Sequence, residues 1–135
     1  MRSAEKLLEE HRQIERELDE LEHAMNEDED LNISHISHIF NQLHNLWNSH
    51  EEKEEEFFKQ LSDNGANLPF SRFLFEHQEL KGHKKVVHDA INSGSHLKIK
   101  VALDTDGRML INKLRRHIED EEELISNNYY EINVR

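Results

Sequence analysis

The chain has 135 residues, a net charge of −12 with neutral histidines, and no cysteine. Such an acidic chain is a poor candidate for binding nucleic acids or anionic lipids, and the missing cysteine excludes disulfides, thiolate metal sites and cysteine catalysis. One proline and four glycines favour helices over strands, and the length suits one domain spanning residues 1–135.

Apolar residues recur at spacings of three and four in the first half of the chain, which predicts two amphipathic helices. The first is predicted over about residues 3–26, and its buried stripe includes His11. The second is predicted over about 32–61, and its stripe includes His50 and Glu54. The two stripes consist of Ala4, Leu7, His11, Ile14, Leu18, Leu21 and Met25, and of Ile33, Ile36, Phe40, Leu43, Trp47, His50, Glu54, Phe57 and Leu61.

A break at residues 62–68 separates the second helix from a third, which is predicted to start near Pro69 and to end around 92–95. Its stripe includes His77, and also Lys84, which is expected to snorkel or to pair with an acid. The stripe consists of Phe70, Phe73, His77, Leu80, Lys84, Val87 and Ile91.

The fourth helix is predicted over about residues 96–127, and Gly107 is expected to bend or divide it. Its inner face includes His117 and Glu121. That face consists of Leu103, Gly107, Leu110, Leu114, His117, Glu121 and Leu124. The other acidic residues of the runs 51–56 and 119–123 are predicted to form solvated helix faces.

Short connections between successive helices predict an all-α fold, an up-down-up-down antiparallel four-helix bundle. In that topology His11 and His77, which come early in their helices, lie level with His50 and His117, which come late in theirs. The helices are assigned from the spacing of apolar residues alone. The matching heights of the four histidines along the bundle therefore support one shared layer independently.

The four histidines and two glutamates of that layer suit a metal centre. His50–Glu54 and His117–Glu121 are pairs four residues apart, so each imidazole and carboxylate can hold one ion together. A buried carboxylate costs several kcal/mol unless a cation, an arginine or a shifted pKa compensates it. Six such ligands exceed the needs of one tetrahedral zinc ion and suit two ions bridged by carboxylates. Mixed nitrogen and oxygen ligands favour iron or manganese, with zinc as a competitor.

At these residues the chain resembles the hemerythrin-like family, also called HHE cation-binding domains. The matching stretches are LEEH at 8–11, HEEKEE at 50–55, EHQEL at 76–80 and HIEDEE at 117–122. The resemblance implies a non-haem di-iron centre in a four-helix bundle, with Glu54 and Glu121 as bridging carboxylates. The implied ligands are His11, His50, Glu54, His77, His117 and Glu121. Members of the family bind dioxygen, sense oxygen, iron or nitric oxide, or help repair iron–sulfur clusters.

The third helix departs from the pattern of the oxygen-carrying members. They have HxxxH there, whereas this chain has Lys81 four residues after His77. His83 follows at six residues, roughly 120° from the same face, so it would ligate only if the helix were distorted near Gly82. The oxygen carriers also end in HxxxxD, where this chain has HxxxE. The match is closer to the broader bacterial HHE-type branch.

The leading prediction is a cytoplasmic, hemerythrin-like di-iron protein that binds or senses dioxygen or nitric oxide, or handles iron, without a defined organic substrate. Two alternatives stay open. One is a di-iron enzyme, such as an iron oxidase, a peroxidase or an iron–sulfur cluster repair factor, and the other is a helical interaction module without metal. We expect no nucleic-acid or membrane partner, and a homodimer stays open.

Overall fold

Every element that the computed structural model describes is helical, in residues 3–27, 32–63, 65 and 70–127. The elements are α1 (Ser3–Glu27), α2 (Ile33–Asp63), α3 (Phe70–Ser93), α4 (His96–Ala102), a π-helical segment (Leu103–Gly107) and α5 (Arg108–Asn127). The all-α class is therefore confirmed for these residues. None of the helices in the described ranges has the length and apolarity that crossing a membrane requires.

The predicted helix bounds agree with the observed ones to within about two residues, which is the usual uncertainty of helix ends. Pro69 and most of the predicted break at 62–68 lie outside the described residues. Two glycines adopt left-handed backbone conformations that other residues rarely take, Gly65 with φ 100° and Gly94 with φ 70°. Directly after Gly94, Ser95 caps α4 by accepting a hydrogen bond from the Lys98 backbone N–H.

The fourth predicted helix contains the irregularity that was expected near Gly107. Residues Leu103–Gly107 form a π-helical turn, and the backbone on both sides stays right-handed helical, so the rod is continuous from α4 into α5. The Thr105 hydroxyl donates to the backbone carbonyl of Val101 at 2.8 Å. The turn carries the buried face from Ile99 and Ala102 in α4 to Leu110 in α5. The stripe predicted for the fourth helix begins only at Leu103, so it omits Ile99 and Ala102, the buried residues of α4.

The predicted stripes form the core, with few exceptions. Ala4, Ile33, Ile91 and Leu124 are only half-buried, and the Phe70 side chain lies outside the described residues. Seven further residues are buried although the stripes did not include them: Ile39, Phe58, Ile99, Ala102, Ile111, Ile118 and Ile125. The apolar band of each helix is therefore wider than one line of residues, as expected for helices packed on several neighbours.

The core consists of two hydrophobic clusters. The small core cluster comprises Leu7, Phe57, Phe58, Leu61, Phe73 and Ile125. The large core cluster includes Ile14, Trp47, Leu80 and Leu114. On each helix, the predicted ligands lie between a residue of one cluster and a residue of the other, as His11 does between Leu7 and Ile14. The polar layer thus separates the two apolar clusters.

Leu43→Ala is expected to lower the free energy of unfolding by about 2–5 kcal/mol, because it leaves a cavity in the large core cluster. Leu43 is 1% exposed, whereas Leu97 on α4 is 71% exposed. Leu97→Ala is therefore the matched control and should change the free energy by less than about 0.5 kcal/mol. Urea unfolding followed by circular dichroism measures both, and equal losses would contradict the assigned packing.

Candidate metal centre

All six predicted ligand side chains are buried, and none is more than 3% exposed. They come from four separate helical segments: His11 from α1, His50 and Glu54 from α2, His77 from α3, and His117 and Glu121 from α5. Burial of so many polar groups is unfavourable unless each finds a partner. The contacts of these six side chains therefore indicate which kind of ligand the site can bind.

The six side chains come together as two groups that share Glu54. One group consists of His11, His50, Glu54 and Glu121, and the other of Glu54, His77 and His117. Within each group, every residue offers a nitrogen or oxygen atom that lies within 4.8 Å of the others. Atoms this close can ligate one ion, so the structure contains two adjacent candidate positions for cations.

The Glu54 carboxylate lies between the two groups. Its Oε2 is 3.1 Å from Nε2 of His50, on its own helix. Its Oε1 is 2.8 Å from Nε2 of His77 and 3.1 Å from Nε2 of His117. Each oxygen atom of this carboxylate therefore faces a different group, which is the geometry that a bridging ligand requires.

Glu121 also contacts histidines of both groups, but more asymmetrically. Its Oε1 is 2.9 Å from Nε2 of His117, four residues earlier on α5, and 3.8 Å from Nε2 of His11. Neither Glu54 nor Glu121 forms an ion pair with a lysine or arginine of the described ranges. Compensation by an arginine, one of the options left open by the sequence, is therefore not used there.

Each histidine presents Nε2 to this centre and Nδ1 to a carboxylate outside it. The Nδ1 contacts are His11 to Glu122 at 2.9 Å, His50 to Glu10 at 2.9 Å, His117 to Glu76 at 2.6 Å and His77 to Glu55 at 3.3 Å. Metal-binding histidines characteristically donate their second N–H to such an acceptor, which fixes the tautomer and the orientation of the ring.

These outer carboxylates were missed by the sequence analysis, which assigned Glu55 and Glu122 to solvated faces. The available signal was the Glu-His dipeptide, which also occurs at Glu22-His23, where the histidine is exposed, but which accompanies predicted ligands at Glu10-His11 and at Glu76-His77. At these two positions the histidine points into the centre, and the glutamate before it accepts a hydrogen bond from Nδ1 of a histidine on a neighbouring helix. A residue one position earlier lies about 100° around the helix, so it faces that neighbour.

Basic residues hold two of the outer carboxylates in place. Lys53 donates to Glu10 at 2.7 Å, and Nε of Arg72 lies 3.3 Å from Glu76. Burial tends to raise the pKa of Glu10, but hydrogen bonds from Lys53 and His50 lower it below its usual value. The lowered pKa favours ionised Glu10, which accepts a hydrogen bond from Nδ1 of His50.

Several inward atoms are left without hydrogen-bond partners, although Oε1 of Glu54 lies within hydrogen-bond distance of Nε2 of His77 and His117. The buried unpaired atoms here include Nε2 of His11 and His50, Oε2 of Glu54 and both carboxylate oxygens of Glu121. A ring that donates its one proton outward from Nδ1, as His11 can to Glu122 and His50 to Glu10, directs the lone pair of Nε2 at these oxygens. Lone pairs facing lone pairs repel, whereas a cation between them would satisfy both. The residues present therefore fit a bound metal ion.

The pKa shifts show that this cluster attracts positive charge. Burial and the neighbouring Glu54 raise the pKa of Glu121 well above its usual value. Burial alone would lower the pKa of His117, but contacts with Glu121 and Glu54 raise it to about 11. By contrast, burial and the nearby His50 lower the pKa of His11. Without a metal ion, protons on His117 and Glu121 thus supply the positive charge that a cation between the carboxylates would supply.

Two aromatic side chains enclose the histidine rings. The Trp47 ring lies 5.5 Å from the His50 ring and 5.8 Å from the His77 ring, measured between centroids. On the opposite side, Phe73 of the small core cluster lies 5.5 Å from the His117 ring. These two rings form apolar walls on two sides of the histidines.

His83 is not part of either group. The structure shows regular α-helix through Gly82, so the distortion that ligation by His83 would need is absent from this described segment. Instead, Nδ1 of His83 lies 2.9 Å from Oδ1 of Asp106, at the π-helical turn. Lys81 is exposed and takes no part in the centre.

Comparison with protein families gives a match over nearly the whole chain. The sequence matches the model of the Hemerythrin HHE cation binding domain over residues 2–127. Comparisons with curated proteins and with solved structures found no match. The family match shows that the chain belongs to this cation-binding family, and the convergence of histidines and carboxylates is consistent with it.

Replacing the buried ion pair by His117→Leu with Glu121→Leu is expected to leave the metal-free protein about as stable, because the desolvation cost of the pair is removed together with its attraction and Glu54 keeps its contacts with His50 and His77. The same variant should lose the extra stability that ferrous ions give the wild type. Urea unfolding with and without ferrous ions measures both effects. Glu119→Leu, on the exposed face of α5, is the control and should keep the metal-dependent gain. A stabilising effect of ferrous ions on the double variant would argue against a role for this pair.

Proposed function

We propose that this chain, which belongs to the hemerythrin HHE cation-binding family, is a non-haem di-iron protein that binds or senses dioxygen or nitric oxide, or handles iron. The observation that carries the proposal is the sharing of Glu54 by two buried groups of donor atoms. The proposed ligands are His11, His50, Glu54, His77, His117 and Glu121.

Two ions, rather than one, account best for the donor set. One group offers two imidazoles and two carboxylates, and the other offers two imidazoles and the shared Glu54, with Glu121 also in contact with His117. Paired metal ions in proteins lie roughly 3.5–4 Å apart and are commonly held by shared ligands. The contacts of Glu54 and Glu121 with both groups support bridging roles for these carboxylates.

Iron is the metal that this chemistry favours. The ligands are imidazoles and carboxylates, a mixture that suits iron or manganese and also accepts zinc. Four neutral imidazoles contribute no charge, so the centre carries less negative charge than one built from carboxylates alone. That property favours the ferrous state, which is the state that binds dioxygen or nitric oxide. Manganese and zinc are expected as substitutes.

The bound iron pair would supply open coordination positions for a small diatomic ligand. The protein's own residues do the rest. Glu10, Glu76 and Glu122 accept hydrogen bonds from Nδ1 and so keep Nε2 of their histidines directed inward. Trp47 and Phe73 keep the surroundings dry.

A small cavity borders His117, one of the proposed ligands. It has a volume of about 100 Å³ and is lined by Glu76, Glu79, Leu80, Lys113, Arg116 and His117. His117 is thus both a proposed ligand and part of the cavity wall. The cavity has the volume of about three water molecules, at about 30 Å³ each in the liquid, so it admits only small molecules.

The convergence of the ligands also supports an antiparallel arrangement. His11 and His77 lie in the first halves of α1 and α3, whereas His50 and His117 lie in the second halves of α2 and α5. Such residues meet at one level when successive helices alternate in direction, so we infer an up-down-up-down bundle. The single domain, the cytoplasmic location and a homodimer stay predictions.

An anaerobic titration with ferrous ions tests the proposal. The wild type is expected to bind two ions per chain, and Glu54→Gln should retain less than half of this iron, because it weakens the ligand that both positions share. Glu52→Gln, two residues away on the exposed face of α2, is the matched control and should bind as the wild type does. Metal analysis after gel filtration gives the stoichiometry.

Failure to take up iron anaerobically would contradict the proposal and favour a helical module whose inward histidines are structural. If iron binds, the absorption spectrum in air separates the remaining functions. An oxygenated spectrum that reverts under vacuum indicates reversible binding of dioxygen. Turnover of peroxide, or delivery of iron to an apo cluster protein, would instead favour the di-iron enzyme or repair factor.

Glu76→Gln is expected to weaken iron binding by about 10–100-fold, the effect typical of removing an outer partner of a ligating histidine. Glu76 accepts the Nδ1 proton of His117 at 2.6 Å, whereas Glu79, about one turn later, contacts only Lys113 among the described residues. Glu79→Gln is therefore the control. Competition with a chelator measures the affinities, and equal effects of the two changes would contradict the role given to Glu76.

A further inference from the structure

Two carboxylates outside the metal centre face the same ring nitrogen of His77. Oε2 of Glu55 lies 3.3 Å from Nδ1 of His77, and Oε1 of Glu51 lies 3.8 Å from it. Each of these three side chains offers a nitrogen or oxygen atom that lies within 4.8 Å of the other two. The other three histidines of the centre each have one outer carboxylate, at 2.6–2.9 Å. Within the described ranges, His77 thus has one outer carboxylate more than they do.

The hydrogen bonding of His77 is the reverse of that of His11 and His50. In those two rings Nδ1 has a hydrogen-bond partner and Nε2 has none. In His77 it is Nε2 that lies at hydrogen-bond distance from Oε1 of Glu54, 2.8 Å away, whereas Nδ1 is buried without a hydrogen-bond partner. A neutral imidazole has one proton, so a His77 ring that donates inward to Glu54 has a lone pair on Nδ1.

This lone pair faces negative charge that nothing in the described ranges neutralises. Nδ1 of His77 faces Glu51 and Glu55, and neither glutamate forms an ion pair with a lysine or arginine there. Oε2 of Glu51 is also buried without a hydrogen-bond partner. Acceptor atoms that face one another repel, whereas a divalent cation between them would satisfy all three side chains. One imidazole and two carboxylates are ligands that suit ferrous ions.

Lys84 does not supply the missing positive charge. The sequence predicts that it snorkels or pairs with an acid, but it is 4% exposed and its Nζ donates to Oδ1 of Asn48 at 2.8 Å. Among the described residues it forms no ion pair, so the prediction is wrong for this part of the chain. Burial lowers the pKa of Lys84 to about 8, although the charge of Glu51 acts in the opposite direction. Glu51 therefore lacks a lysine partner.

The three side chains become more buried from the surface toward the centre. Side-chain exposure falls from 35% for Glu55 to 12% for Glu51 and 3% for His77. The sequence analysis assigned both glutamates to a solvated face, but they are only half-buried, one turn apart on α2. The same His77 ring presents Nε2 to Glu54 and His117 inside the centre. A cation held by the outer group would thus be separated from the centre by a single imidazole.

We propose that Glu51, Glu55 and Nδ1 of His77 form a third cation site, the entry site, at which ferrous ions bind on their way into the centre. The inference rests on the proposed function, because it assigns a loading route to the same di-iron centre. A neutral ring binds an ion through Nδ1 only while Nε2 holds the proton. Once Nε2 coordinates an ion of the centre, the proton is on Nδ1 and the entry site loses this ligand. The loaded protein therefore still holds two ions.

Trp47, the single tryptophan of the chain, can report the filling of the centre. Its ring lies 5.5–5.8 Å from the rings of His50, His77 and His117, so ferrous ions bound there should quench its fluorescence. Anaerobic stopped-flow mixing of the metal-free, full-length protein with ferrous ions gives the rate of uptake. Mixing of the loaded protein with an excess of chelator gives the rate of release.

Glu51→Gln removes one charge of the entry site with little change of shape, and it should slow both uptake and release by about tenfold. A site on the path lowers the barrier in both directions, so the two rates should fall together and leave the affinity unchanged. Glu55→Gln should act in the same way and keeps the test decisive if Glu51→Gln fails to fold. Glu52→Gln makes the same change of charge at an exposed position of α2, so it is the control and should exchange iron as the wild type does.

Wild-type rates in both entry-site variants would overturn the entry site and leave the proposed function intact, provided that the wild type binds two ions. Faster release with weaker affinity would also overturn it, because that result is expected of glutamates that only orient His77. Failure of the wild type to bind ferrous ions would contradict the proposed function together with the entry site.

Discussion

The buried carboxylate of Glu54 is the group on which the arrangement of the helices depends. It contacts His50 on its own helix, His77 on α3 and His117 on α5, all at 3.1 Å or less. A buried carboxylate is unfavourable unless positive charge or hydrogen-bond donors surround it. The contacts of Glu54 with histidines therefore favour the packing of α2 against α3 and α5. The apolar clusters on either side supply the driving force for folding, whereas the polar layer fixes which residues must meet.

A second set of carboxylates links neighbouring helices around this layer. Glu10 of α1 holds His50 of α2, and Glu76 of α3 holds His117 of α5. Each of these glutamates directly precedes another ligand candidate, so one short dipeptide supplies an inward imidazole and an acceptor for the next helix. The orientations of His50 and His117 are thus set by helices other than their own, which makes the geometry of the centre a property of the assembled fold.

The fold and the inner residues of the centre could be predicted because both follow from one periodicity. A buried helix face repeats every 3.6 residues, so His50 and Glu54 could be placed inward from sequence spacing alone. The outer acceptors could not, because a glutamate such as Glu122 has the same spacing whether it is solvated or holds a histidine. The pairing of Lys84 with Asn48 was also missed, since a contact between two helices depends on their relative rotation, which spacing within one helix does not reveal.

The division of the core into two apolar clusters has a consequence for the dynamics of the molecule. The small core cluster has few members, and the polar layer separates it from the larger one. Cooperative regions with few apolar contacts open first, at a free energy below that of global unfolding. If the layer holds iron, as proposed, the supply of iron governs how often this end of the molecule opens. The iron supply would then set how often this end of the molecule is unfolded. Proteases or partner proteins could distinguish the folded from the opened end without any chemical reaction at the centre.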